Sequence, residues 1–204
     1  YTHSDFFEEI AKYRAMRRLW ARMMKERFGA EDPNSWLFRF GTPCGGASLT
    51  VAQPMNNVVR VAYEALASIL GGTQTIHTGA WDEGYSIPTQ ESADLALKTQ
   101  LILAHETGVT QTVDPLGGSY FVEALTHQVE AEIQRRLNRI EVMGGMVRAI
   151  ENGVIQREII DSAYEREKKI QSGEKIVVGV NRFVQNSQEE EEYLDLHQYD
   201  SQGP

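Results

Sequence analysis

The sequence predicts an α/β fold in which parallel strands alternate with crossover helices. Three observations lead there. Apolar residues recur three or four apart in well-separated segments, short β-type runs lie between those segments, and the connections are short.

The first helix is expected from Asp5 to Phe28, where Phe6, Ile10, Tyr13, Met16, Trp20 and Met24 mark one face. Asp5 and Glu8 have capping-box spacing, and Gly29 can close the end. A strand is predicted over Trp36–Phe40, followed by the loop "GTPCGGASLT". The second helix, from about Pro54 to Leu70, carries Val58, Val61, Ala62, Ala65, Leu66 and Ile69 on one face and stops at Gly71-Gly72. Next come the short strand "TQTIHT", the loop Thr78–Thr89, and a third helix over Gln90–His105 with Thr89 as N-cap. Beyond it the pattern is helical, broken at Gly144-Gly145, near Gly153 and at Gly173, and ends in a strand-like "KIVVGVNRF" and an acidic "EEEEY" tail.

With 204 residues, 41% hydrophobic and 24% charged, the composition is that of an ordinary soluble globular protein. The formal charge of -9 offers no broad field for nucleic acid or an anionic membrane. Arg14, Arg17, Arg18 and Arg22 share one helix and read as a solvated face. Cys44 is the only cysteine, so an internal disulfide is impossible, and a reducing, cytoplasmic compartment is expected. No apolar run approaches the roughly 18–20 residues of a membrane span. The chain starts without Met and almost inside a helix, so it is expected to be a piece of a longer polypeptide.

Chemistry is expected where parallel strands end, in the loops Gly41–Leu49 and Thr78–Thr89. Gly41, Gly45 and Gly46 allow close backbone approach to a ligand, or form a plain flexible turn. Asp82 and Glu83 are adjacent, so their side chains diverge; one of them can accept from ligand hydroxyls, or Glu83 is a surface or capping carboxylate. His77 reads as a buried structural histidine or a ligand contact, and the histidines show no metal spacing. Cys44 is a small loop residue or, less readily, a thiol nucleophile. Most unusual is "TQTIHT", polar on both faces where an eight-stranded barrel packs branched aliphatics. Buried polar groups need partners, and a polar ligand along a barrel axis would supply them. A half-exposed strand in an ordinary sheet is the alternative.

The segments "FFEEIAKYRAMRRLWARMMKERFGA", "SLTVAQPMNNVVRVAYEALASILGGTQTIHT", "DEGYSIPT", "TVDPLGGSYFVEALT", "MGGMVRAI" and "SGEKIVVGVNRF" together resemble the large subunit of coenzyme-B12-dependent acyl-CoA mutases, over nearly the whole chain and in order. The resemblance implies the C-terminal portion of a (β/α)8 TIM barrel, with residues 1–110 holding its last two strands and 111–204 a mainly helical post-barrel segment. It implies an acyl-CoA threading the barrel axis and adenosylcobalamin capping the strand ends, the cofactor starting a radical carbon-skeleton rearrangement. Glu83, Gly46 and Gly79 are the implied cofactor-side residues; Gln74 and His77 are the implied substrate-side residues. No catalytic residue is assigned, and no metal ligand. The implied partners are the rest of the barrel, a cobalamin-binding domain or subunit and further copies in an oligomer. Where methylmalonyl-CoA mutases read His-x-Gln-Thr this chain has Gly41-Thr42-Pro43-Cys44, and where they read His-Thr-Asn it has His77-Thr78-Gly79. The departures point to a related branched or hydroxylated short-chain thioester as substrate. A non-catalytic CoA-binding or scaffolding fragment is the second implied possibility.

Overall fold

The computed structural model describes residues 1–185. The acidic "EEEEY" stretch and His197 lie outside the described residues. Packing divides the chain near Glu130 into two compact units.

In the first unit a long helix, α1 (Phe6–Arg22), is extended by a wider π-type turn over Met23–Arg27. Its predicted capping box does not form: Asp5 caps through its backbone carbonyl, which accepts from Glu9 N at 2.9 Å, and its side chain makes no cap bond. Two further helices, α2 (Asn56–Leu70) and α3 (Gln90–Glu106), match the predicted spans closely. Gly71 caps α2, and Gly72 follows at φ +79°, a conformation that suits glycine. Thr89 Oγ1 accepts from Ser92 N at 3.2 Å and so caps α3 as its residue type requires.

The strands are short: β1 is Gly41–Pro43 and β2 is Thr75–His77, paired in parallel with Gly41 opposite Thr75, Thr42 opposite Ile76 and Pro43 opposite His77. The first therefore lies downstream of the predicted Trp36–Phe40. Trp36 ends a short 3₁₀ turn, and Phe38 and Phe40 stack on each other at 4.7 Å while facing Trp20 and Tyr13 of α1. Aromatic alternation imitated a strand because those rings line the helix. Thr2 adds one more parallel rung on the other side of β1, with Thr2 N donating to Pro43 O at 3.0 Å and Gly45 N to Thr2 O at 2.7 Å.

The helices cover one face of this small sheet. Ile76 and Cys44 pack with Val61, Ala65 and Leu103, while Ile10 and Ala67 form a second cluster with Val122. Hydroxyls share this face, and the helices satisfy them. Ser68 Oγ meets Thr2 Oγ1 at 2.5 Å and Thr42 Oγ1 at 3.2 Å; Tyr13 Oη meets Thr2 Oγ1 at 2.7 Å. Thr78 Oγ1 donates to Ala96 O at 2.7 Å and accepts from Gln100 Nε2 at 2.9 Å. Part of the unusual polarity of these strands, at Thr42 and Thr78, thus answers to helices and not to a ligand. Gly41, Thr75 and His77 alternate to the other face, which nothing in the described residues covers.

The arginines of α1 are a solvated face only in part: Arg22 is exposed, whereas Arg14 is largely buried. Arg14 pairs with Asp114 and Glu123, Arg18 and Arg22 pair with Glu130 of α4 (Tyr120–Val142), and Arg17 donates to the carbonyl of Gly71. Their acceptors lie far along the chain, so local charge counting misses them.

In the second unit the end of α4 is followed by α5 (Met146–Glu151) and α6 (Val154–Gln171), with breaks at Gly144-Gly145 and Gly153 as expected. The strand expected in "KIVVGVNRF" is instead a turn with a single bridge, Val178 to Arg182, held by Asn181: its Oδ1 accepts from Val177 N at 2.8 Å and its Nδ2 donates to Ile170 O at 2.7 Å. Among the described residues no helix is long and apolar enough to cross a membrane.

Tyr13 is 2% exposed, and its hydroxyl both meets Thr2 and donates to Tyr1 O at 2.9 Å. Tyr13→Phe is expected to lower the unfolding free energy by about 1–2 kcal/mol, read from urea denaturation midpoints.

Candidate functional site

Because β1 and β2 run parallel and in register, Pro43 and His77 end side by side and their loops leave from the same edge. Ligands meet α/β sheets at this edge. The two loops are tied together by one residue of α2. Asn57, fully buried, accepts from Thr50 N at 3.0 Å and donates through Nδ2 to Thr50 O at 2.8 Å and to Trp81 O at 2.9 Å. Arg60 Nη1 donates to the same Asn57 oxygen at 2.8 Å and to Thr50 Oγ1 at 2.6 Å. Tyr85 Oη adds a bond to Val51 O.

About two helical turns beyond Asn57, Glu64 is 1% exposed and faces the first loop: Gly45 N donates to its Oε2 at 3.1 Å, and Ser48 Oγ contacts its Oε1. Burial raises its pKa to about 7 against the pull of those two bonds. Sequence reading missed both Asn57 and Glu64. The signal available was their spacing with Val61 and Ser68 along one face of α2, polar residues set into the apolar stripe.

The second loop is held by Asp82, also buried, whose Oδ2 accepts from Thr89 N at 3.0 Å and whose carbonyl accepts from Tyr85 N at 2.8 Å. Its neighbour Glu83 is exposed and uses one oxygen, Oε1, to accept from Ala80 N at 2.9 Å. The adjacent carboxylates therefore diverge: Asp82 shapes the loop and Glu83 is presented. Gly79 is buried beneath Glu83, where an added Cβ would stand 3.2 Å from its Oε2. Gly46 is exposed, and a Cβ there would have nothing within 4 Å, so its backbone faces open space. Gly45 is different, since a Cβ would overlap the His3 ring.

The remaining candidates lie elsewhere on the strand. His77 is exposed on the uncovered face at the loop end, and is not a buried structural histidine. Gln74 sits at the opposite end of β2, where its Oε1 accepts from Phe40 N at 2.8 Å and its Nε2 donates to Gly72 O at 3.3 Å. The structure thus gathers Gly46, His77, Gly79 and Glu83 at the strand ends and leaves Gln74 roughly 10 Å away, the rise of three strand residues.

Cys44 is 6% exposed, and burial, reinforced by the charge of Glu64, pushes its thiol up to about 12. It is a packing residue, not a nucleophile. A soluble disulfide reagent at pH 8 is expected to label Cys44 at least about a hundredfold more slowly in the folded protein than in urea. Asn57→Ala would leave the Thr50 and Trp81 carbonyls unpaired, and an unfolding free energy lower by about 2–3 kcal/mol is expected in denaturant titration.

The sequence matches the family described as "Methylmalonyl-CoA mutase" over residues 1–203. A 2-hydroxyisobutanoyl-CoA mutase large subunit from Aquincola tertiaricarbonis is 49% identical over 200 residues, covering 98% of this chain and 35% of that protein. A methylmalonyl-CoA mutase from Cereibacter sphaeroides is 44% identical over 192 residues, covering 94% and 27%. The mitochondrial methylmalonyl-CoA mutase of Homo sapiens is 41% identical over 192 residues, covering 94% and 26%. The chain spans about a third or less of the length of these relatives. On the extent of the match and on these identities, the chain belongs to the methylmalonyl-CoA mutase family.

Proposed function

We propose that this chain forms the last part of a (β/α)8 barrel, within residues 1–110, followed by a post-barrel segment, in an adenosylcobalamin-dependent isomerase that rearranges a short-chain acyl-CoA. The observation that carries the reading is the division of the sheet: hydroxyls on the helix face are paired internally, whereas Thr75 and His77 stand on a face without cover among the described residues. In a closed barrel that face lines the axis. Polar side chains there call for a polar occupant, and the arm of a thioester supplies one.

The residues present fit the cofactor on its expected side. Open space over Gly46 admits a flat macrocycle against the backbone, and exposed Glu83 leaves Oε2 uncommitted among the described residues, ready to accept from a ribose hydroxyl. When bound, adenosylcobalamin supplies the radical initiator of the rearrangement. This chain's residues would position and shield: Glu83 would hold the ribose, Gly46 would allow close approach, Gly79 leaves room for the Glu83 carboxylate, and the loops tied by Asn57 would exclude water.

A branched or hydroxylated acyl group is favoured at the first rung. Gly41 lies opposite Thr75, and a Cβ at 41 would run into Thr75 Oγ1. The histidine that methylmalonyl-CoA mutases carry there therefore has no room unless Thr75 moves, and a small hydroxyl takes its place. The 49% identity to a protein named for a hydroxylated acyl-CoA agrees with that choice.

The test is reconstitution of the full-length protein with its cobalamin-binding domain or subunit. Isomerisation of 2-hydroxy or branched acyl-CoA is expected, and Glu83→Gln is expected to lower kcat about ten- to hundredfold with acyl-CoA affinity unchanged. Binding of CoA esters with no cobalamin spectrum and no rearranged product would favour the scaffold instead.

A further inference from the structure

Buried Glu64 has no part in the proposed chemistry, yet it touches the turn that carries Gly46. The hydrogen count around it is informative. Ser48 has one hydroxyl hydrogen and faces two acceptors, Glu64 Oε1 and Gly45 O, the latter at 2.5 Å. With Glu64 ionised one of these oxygens lacks a hydrogen from Ser48. With Glu64 protonated both contacts carry a hydrogen, because Glu64 supplies its own to Ser48 Oγ and frees the Ser48 hydrogen for Gly45 O.

We infer that Glu64 is a positioning residue that works as a neutral acid: its O–H donates to Ser48 Oγ, the Ser48 hydroxyl donates to Gly45 O, and Gly45 N–H donates back to Glu64 Oε2. The ring encloses the turn Gly45–Ser48 and sets the backbone of Gly46. Ser48 N donates to Gly45 O at 3.0 Å inside the same turn, so the ring closes a structure already bent to receive it. Its role toward a cofactor rests on the function proposed above; the ring itself does not.

The surroundings favour the neutral form. Glu9 of α1 faces Glu64 and adds negative charge, although Lys12 pairs with Glu9. Arg60, on Glu64's own helix, pulls the other way but donates to Thr50 and Asn57. Cys44, from the end of β1, stays a neutral thiol, and His3 packs its ring against Gly45. Burial dominates and holds the Glu64 pKa at about 7, above the ordinary carboxylate value of 4.5. The folded state therefore binds the proton more tightly than the unfolded chain. Stability from this group falls as pH rises through the window from about 4.5 to about 7, and is lowest above it.

The experiment compares wild type, Glu64→Gln and Ser48→Ala in the full-length protein, by amide hydrogen exchange of residues 45–48 at pH 6 and pH 8, with the melting temperature and adenosylcobalamin affinity alongside. Glutamine has the donor and acceptor that the ring needs. Glu64→Gln is expected to match wild-type protection at pH 6 and to exceed it about tenfold at pH 8, the worth of one buried hydrogen bond. Its melting temperature should not fall from pH 6 to pH 8 as wild type's does. Ser48→Ala is expected to lose protection about tenfold at pH 6, where the wild-type ring is closed. Loss of protection in Glu64→Gln at pH 6 equal to that in Ser48→Ala would overturn the inference, since negative charge and not the proton would then hold the turn. Should exchange follow the expected pattern while cobalamin affinity ignores Ser48→Ala, the ring stands and the placement of this turn against the cofactor fails.

Discussion

The first unit depends on a stripe of buried polar side chains along α2. Asn57, Glu64 and Ser68 share the inward face with Val61 and Ala65, and each reaches a different part of the sheet edge. Ser68 receives the strand hydroxyls of Thr2 and Thr42, Glu64 receives the turn after β1, and Asn57 joins the loops after both strands. An apolar helix face would pack against these strands with equal area but would leave their hydroxyls and loop amides unpaired, at a cost of about 1–3 kcal/mol each. The polar stripe removes that cost and, because hydrogen bonds are directional, fixes where the loops go.

That constraint separates two classes of polar residue at the strand ends. Asn57, Thr42 and Thr78 have partners within the fold and no reason to meet a ligand, whereas Asp82 shapes its loop through Oδ2 and keeps a buried Oδ1 without a partner among the described residues. Thr75, His77 and Glu83 keep exposed polar atoms beside them, and Gly46 keeps open backbone. The distinction is sharpest between adjacent residues. Asp82 is buried under the loop that it shapes, and the loop so shaped turns Glu83 outward. A rigid support with uncommitted groups at its rim is what positioning a reactive ligand requires.

Much of this was legible in the sequence, and the failures share a cause. Helix α2 announced itself because burial of one face imposes a spacing of apolar residues that the order of the sequence shows. Thr89 as a cap and the glycine breaks rest on local backbone chemistry, which a short window contains. What failed depends on distant partners. The strand Gly41–Pro43 has no β-type signal of its own and exists because Thr2 and Thr75–His77 flank it. Trp36–Phe40 has that signal, but its aromatics serve a helix. The arginines of α1 find acceptors roughly a hundred residues away, and Asn57 and Glu64 looked like interruptions of an apolar face when they were its organising contacts.

The same logic bears on how such a sheet can change its open face without changing its helix packing. Gly41 and Thr75 form one rung of the uncovered face, and neither is held by the α2 stripe. Exchanging a large residue for glycine there alters the lining while leaving Thr42, one position along, bonded to Ser68 on the other face. Because side chains alternate across a strand, the open-face and helix-facing sets vary independently. A sheet whose helix face is satisfied by its own hydrogen bonds can therefore tolerate substitution on its open face, which places freedom to diverge at rungs such as Gly41 and Thr75. The loops are less free, since Asn57 couples Thr50 to Trp81 and a change in either is felt by both.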